Sequence, residues 1–181
     1  MPVSELINHN ASANSQWLFD DGIKVSGTFN DEIVINYNSN RDALSLFNTY
    51  GFAVEVNKAY SSWLSINHPR YRSINIGRFF MEYDEFHGIR EPKVFRDENR
   101  LNITFLQLSN SYNPELPAKI FSKIMLKNGM NVKDAISLFH GIQSENKKIY
   151  IRLLIELRGL NTPVADGLRD MAYYQLHALE Y

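Results

Sequence analysis

A change of hydrophobic period near residue 110 constrains what this chain can fold into more than any other feature. Up to about Ser109 the apolar residues come in short β-type runs separated by turns, and from Leu116 onward they recur at helical spacing. Pro117 opens a helix with the stripe Ile120, Phe121, Ile124 and Met125, and Asn128-Gly129 is its stop. Asn131 is placed to cap a second helix carrying Ala135, Ile136 and Phe139. Ser144 is placed to cap a third, through Leu153, Leu154 and Leu157, ended by Gly159. Thr162-Pro163 forms an N-cap and first-turn pair for a last helix, with Leu168, Met171, Ala172, Gln175 or Leu176, and Leu179 on one face. The short links predict an antiparallel helical bundle. The expected fold class is α+β.

The first part reads differently. Ile33-Val34-Ile35-Asn36-Tyr37 is a β-branched run after the turn-prone Asn30-Asp31, and Gly22 to Gly27 is a shorter strand candidate. Together they suggest a small antiparallel pair. Ala43, Leu44, Leu46 and Phe47 give a brief helical face that Gly51 breaks. Tyr60 to Ile66 and Leu101 to Leu108 read as longer strands, the second with Leu101, Ile103 and Phe105 on one face. Ser73 to Arg100 is irregular.

Composition removes several function classes. A hydrophobic share of 44% is enough for a real core in one substantial domain or two small ones. With 19 basic against 20 acidic residues, no excess of cations is available for a phosphate backbone, so no nucleic-acid partner is expected. The absence of cysteine excludes disulfides, thiolate catalysis and Cys-based zinc sites. No stretch has the length of a membrane span, and Met1-Pro2-Val3-Ser4-Glu5 lacks the basic start and apolar run of a signal peptide. No membrane partner and a cytoplasmic address are therefore expected. The histidines (His9, His68, His87, His140, His177) are spread without metal-ligand spacing, and no metal site is expected. The cluster Glu82, Asp84, Glu85 and His87 reads as a solvated face. No G-x-S-x-G, P-loop or G-x-G-x-x-G is present.

The informative segment runs from Asn8 to Phe52. Leu6-Ile7-Asn8-His9-Asn10 comes first, then Glu32-Ile33-Val34-Ile35-Asn36-Tyr37, then Tyr50-Gly51-Phe52. Singly, these read as a turn before a strand, a strand-end tyrosine and a helix stop. Their joint order and spacing resemble the second half of a SET-domain protein-lysine methyltransferase of the Rubisco large-subunit methyltransferase-like subgroup. The leucine-proline pair Leu116-Pro117 before the first long helix agrees with the helical substrate-binding domain of that subgroup. The resemblance implies residues 1–56 as the C-terminal portion of a SET domain. It implies 57–181 as a substrate-binding domain, helical from about residue 116.

By that resemblance Tyr37 falls on the catalytic tyrosine, and Asn8 and His9 fall on the pair that contacts S-adenosylmethionine. Phe52 falls on the cofactor pocket and Tyr50 on the substrate channel. Such residues suit the chemistry. An aromatic-walled channel desolvates a lysine amine and favours its neutral, nucleophilic form. Aromatic faces tolerate the sulfonium charge, and a tyrosine hydroxyl orients the amine. An asparagine offers a donor and an acceptor to the amino acid end of the cofactor.

The sequence departs from the pattern at Glu5, where aspartate is usual, at Asn10, where serine is usual, and at Asn38, where glycine is common. Only seven residues precede Asn8, so the opening SET strands and their glycine-bearing cofactor loop are not encoded with it. The chain is expected to be inactive alone. It reads as a fragment of a longer enzyme, as one half of a split enzyme with a complementary N-terminal SET half, or as a remnant. The expected partner is a protein bearing the target lysine. The alternative is a non-catalytic protein-interaction module derived from a SET protein.

Overall fold

The computed structural model describes residues 8–9, 16–18, 24–26, 34–35, 41–77, 85–86, 89–97 and 99–181. Its strands are β1 (Asn8–His9), β2 (Gln16–Leu18), β3 (Lys24–Ser26), β4 (Val34–Ile35), β5 (Lys58–Tyr60), β6 (Leu64–Ile66), β7 (Ser73–Ile76), β8 (Glu85–Phe86), β9 (Ile89–Arg90), β10 (Val94–Asp97), β11 (Arg100–Ile103) and β12 (Gln107–Asn110). Its helices are α1 (Ala43–Tyr50), α2 (Leu116–Lys127), α3 (Val132–Glu156) and α4 (Pro163–Ala178). The fold is α+β.

The helices start and stop where local chemistry asks them to. Asn131 accepts from the Asp134 amide at 2.9 Å and caps α3, and Thr162 accepts from the Ala165 amide at 3.2 Å and caps α4 ahead of Pro163. After α2 the chain turns through Gly129 at φ 84°, a left-handed conformation that a side chain would strain. Each helix packs on the next: α2 on α3, α3 on α4, and α4 on α1. Phe121 and Phe139, both buried, meet across α2 and α3 with ring centroids 5.5 Å apart. Such a pair is worth about 0.5–1.5 kcal/mol beyond its buried area.

One helix replaces the two expected between Asn131 and Gly159. α3 runs unbroken through Ser144, a residue that costs a helix interior only about 0.5 kcal/mol. Continuity is held from outside. Asn146 is wholly buried and accepts from the Ser62 amide at 2.7 Å, while its Nδ2 donates to Ser61 Oγ at 3.0 Å. Tyr150, one turn on, shares a 2.8 Å hydrogen bond with Ser62 Oγ. The same contacts split the expected Tyr60–Ile66 strand. The Ser62 amide leaves the ladder for Asn146, so β5 ends at Tyr60 and β6 begins at Leu64. The expected strand from Leu101 to Leu108 also divides. Thr104 turns aside to exchange hydrogen bonds with Lys93 at 3.0 and 3.1 Å, leaving β11 before it and β12 after.

β5 and β12 form a wholly buried antiparallel pair against α2 and α4. The larger sheet has the order β10-β11-β7-β6, with β11 and β7 parallel and the other neighbours antiparallel. Ile74, Ile76, Leu101 and Ile103 are buried while Asn75 and Asn102 between them are half-buried, the two-residue period of a sheet with one face on the core. Ala43 and Leu46 of α1 lie in the same core as Met171 and Ala172 of α4, so residues on either side of position 56 share one interior.

Candidate functional site

Asn8 and His9 pair in parallel with Val34 and Ile35, Asn8 opposite Val34 and His9 opposite Ile35. The expected partner of the Ile33–Tyr37 run was the Gly22–Gly27 segment. Instead β3 pairs antiparallel with β2, and β4 takes β1. A parallel pair needs a crossover of a dozen or more residues, and the hairpin of β2 and β3 lies within that connection. Periodicity identifies strands but not their partners. The Asn8 side chain is exposed. Tyr37, two positions beyond β4, lies outside the described residues, as do Glu82, Asp84 and His87 of the acidic cluster.

The second part of the site is built by α1. Asp42 caps it, accepting from the Ser45 amide at 2.9 Å and from Ser45 Oγ at 2.6 Å. Gly51 ends it at φ 76°, with its amide bonded to the Phe47 carbonyl at 2.9 Å. The left-handed turn brings Tyr50 and Phe52 together, stacked at 5.9 Å with 23° between ring planes. Tyr50 is 44% exposed and Phe52 is half-buried. The Arg41 guanidinium lies 5.2 Å from the Tyr50 ring centre and donates to Thr49 Oγ1 at 2.6 Å. Two groupings of the expected residues thus emerge: Asn8 and His9 joined by backbone pairing to the strand before Tyr37, and Tyr50 joined to Phe52 by stacking.

Asp42 is the residue that sequence reasoning missed. It is fully buried, and beyond its cap it accepts from the Tyr60 amide at 3.1 Å and from Gln175 Nε2 at 2.7 Å. The signal for the cap was present, an aspartate directly before the apolar face of Ala43, Leu44, Leu46 and Phe47. Nothing local marked Gln175 as its partner.

Two grooves open elsewhere on the described surface. One, of about 600 Å³, lies at the four-stranded sheet and is lined by Trp63, Asn75, Phe95 and Asn102 among others. The other, of about 740 Å³, lies between α2 and α3, with Leu126, Val132 and Ile136 exposed along it and Lys123 and Lys147 at its edge. Among the described residues no helix is long and apolar enough to cross a membrane. No family model, curated protein or solved structure matches the chain.

Proposed function

We propose that this chain is the C-terminal portion of an S-adenosylmethionine-dependent protein-lysine N-methyltransferase of the SET type. The parallel register of β1 and β4 carries the reading. It runs the Asn8-His9 pair alongside the strand that leads, two residues later, to Tyr37. The stacked Tyr50 and Phe52, turned by Gly51, supply the flat apolar faces that the reading asks of a closing element.

The residue types in the two groupings suit such a cofactor: an exposed asparagine in one and partly exposed aromatic rings in the other. S-adenosylmethionine supplies the methyl group as an electrophilic sulfonium. Asn8 and His9 would hold the cofactor, with the Asn8 amide suited to its amino acid end, and Phe52 would line its pocket. Tyr50 walls the lysine channel. The Arg41 cation beside that ring disfavours a second positive charge, which lowers the pKa of an incoming amine. The Tyr37 hydroxyl would orient the neutral amine for in-line attack and would stabilise the positive charge that develops on it.

The test is methyl transfer to a protein lysine by an assembly in which this chain is joined to, or mixed with, an N-terminal SET half. Tyr37→Phe is expected to abolish transfer with cofactor binding retained. Unchanged turnover removes Tyr37 from the role, and failure of every such assembly to bind the cofactor removes the reading.

A second reading, a non-catalytic protein-interaction module, is favoured by one observation, the apolar groove between α2 and α3. Retention of partner binding by a chain whose assemblies never bind S-adenosylmethionine would decide for it.

A further inference from the structure

The segment from Asp42 to Glu55 carries Tyr50 and Phe52, and α4 holds it in three places. Gln175 Nε2 donates to Asp42 at 2.7 Å, at the start of the segment. His177 Nδ1 meets the Glu55 carboxylate at 3.1 Å, at its end. Between them α1 presses on α4 where α4 has a glycine. A Cβ built at Gly167 would stand 2.8 Å from Cε2 of Phe47. Open space surrounds Gly51 by the same measure, so the tight contact belongs to the seam and not to the turn.

Gln175 is an unusual choice for that position. It is wholly buried, and its Oε1 has no hydrogen-bond partner among the described residues. An unmade buried acceptor lowers stability, and an apolar residue of similar shape would avoid the loss. The amide is retained with its Nε2 directed at the carboxylate that caps α1. Tyr50 ends a short helix and Phe52 follows its cap, and α4 touches that segment at its start, middle and exit.

We propose that α4 is the positioning element of the closing segment. Gly167, Gln175 and His177 fix where Tyr50 and Phe52 stand, and through them the shape of the methyl-transfer pocket. The proposal rests on the methyltransferase reading for its consequence, and on the seam geometry for its mechanism. None of the three α4 residues touches the reacting atoms in this account; each acts through α1 or its exit.

The experiment uses Gly167→Ala. In an unhindered helix that change is stabilising. Here the added methyl would stand 2.8 Å from the Phe47 ring, and on the proposal the displaced ring carries α1 with it. In the full chain, the NMR resonances of the Tyr50 and Phe52 rings are expected to shift in Gly167→Ala. They are expected to return in the double variant Gly167→Ala with Phe47→Leu, which removes the obstructing ring atoms. Unmoved Tyr50 and Phe52 resonances alongside a moved Phe47 resonance would overturn the proposal. Should Gly167→Ala fail to fold, Gln175→Leu keeps the shape, removes the donor to Asp42, and is judged by the same resonances.

In an active assembly, Gly167→Ala is expected to lower kcat by on the order of a hundredfold, the scale of a misplacement of about 1 Å. KM for the protein substrate is expected to hold, and Phe47→Leu to restore kcat. Loss of kcat without restoration overturns the proposal. If no assembly of the unmodified chain with an N-terminal SET half transfers a methyl group, the functional reading fails, and the ring resonances still decide whether α4 positions Tyr50 and Phe52.

Discussion

Asp42 and Gln175 stand 133 positions apart in sequence and 2.7 Å apart in the folded chain. The bond joins the N-cap of the first helix to the last helix, and the same carboxylate reaches back to the Tyr60 amide at the end of β5. One buried side chain therefore ties three elements. It meets donors from Ser45, Tyr60 and Gln175.

Asp42→Ala is expected to be among the most destabilising single changes in the chain. Loss of an N-cap costs about 1 kcal/mol. Each buried donor left without its charged acceptor adds about 1.5–3 kcal/mol. A loss of at least about 3 kcal/mol is expected in urea unfolding, and one below about 1 kcal/mol would show that water replaces the carboxylate.

Asn146 and Tyr150 both hold Ser62, and Asn146 also holds Ser61. Tyr150→Phe is expected to cost about 1 kcal/mol and Asn146→Leu about 2–3 kcal/mol, because the Ser62 amide is then left unpaired. A double-mutant cycle on stability is expected to show a coupling of at least about 0.5 kcal/mol, since both side chains act on one turn. Strict additivity would mean that the two bonds are independent.

Among the described residues three glycines adopt left-handed backbone: Gly51 at φ 76°, Gly129 at φ 84° and Gly159 at φ 78°. Alanine at Gly51 and Gly159, where nothing stands within 4 Å of the new methyl, is expected to cost about 1–2 kcal/mol from backbone strain alone. At Gly129 the methyl meets the Arg70 guanidinium at 3.0 Å, and the same guanidinium donates to the Gly129 carbonyl. Gly129→Ala is expected to cost more than Gly159→Ala by about 0.5–1.5 kcal/mol, the worth of that hydrogen bond. In an Arg70→Ala background the difference is expected to vanish, which thermal melts of the four variants can decide.

Glu115 precedes α2, and its carboxyl titrates below the ordinary value of 4.5 because Lys119 Nζ donates to it at 2.6 Å and adds its positive charge. A depressed carboxyl stabilises the fold above its unfolded pKa, and that contribution fades as the pH falls through the lower, folded value. The group is fully exposed, so the effect is expected in its own titration and not in global stability. An NMR titration is expected to place its midpoint below 4.5 and to return it there in Lys119→Met. Salt is expected to weaken the charge contribution.

Asn8 separates function from scaffold. Its side chain is exposed, so Asn8→Ala is expected to change stability by no more than about 0.5 kcal/mol. In an assembly competent for S-adenosylmethionine the same change is expected to weaken binding about tenfold, the loss of one good hydrogen bond. Calorimetric titration of the cofactor and a urea curve on the same variant test both halves. Undiminished affinity would take Asn8 out of the cofactor contacts.

How much was legible follows from how far each interaction reaches. Asn131, Thr162 and Gly51 announced helix ends in sequence because a cap is an exchange between residues three or four apart, and Pro117 and Pro163 because a fixed φ suits the first turn. The Ile33–Tyr37 run announced a strand because its β-branched residues favour the extended backbone. For the candidate site, the order of Asn8, His9, Tyr37, Tyr50 and Phe52 was readable. The stacking of Tyr50 on Phe52 depended on the turn that Gly51 makes between them.

The sequence by itself determined the class of the fold, the shift from strands to helices, and most helix boundaries, since all of these depend on local propensity and periodicity. Only the tertiary structure decided that β4 takes β1 in parallel and that α3 runs unbroken past Ser144. It also decided that α4 reaches back to Asp42. Those outcomes turn on polar groups leaving water, and a buried amide or carboxylate must find its partner wherever the packed chain supplies one. Asp42 found its partner in Gln175, and no spacing in the sequence could have named it.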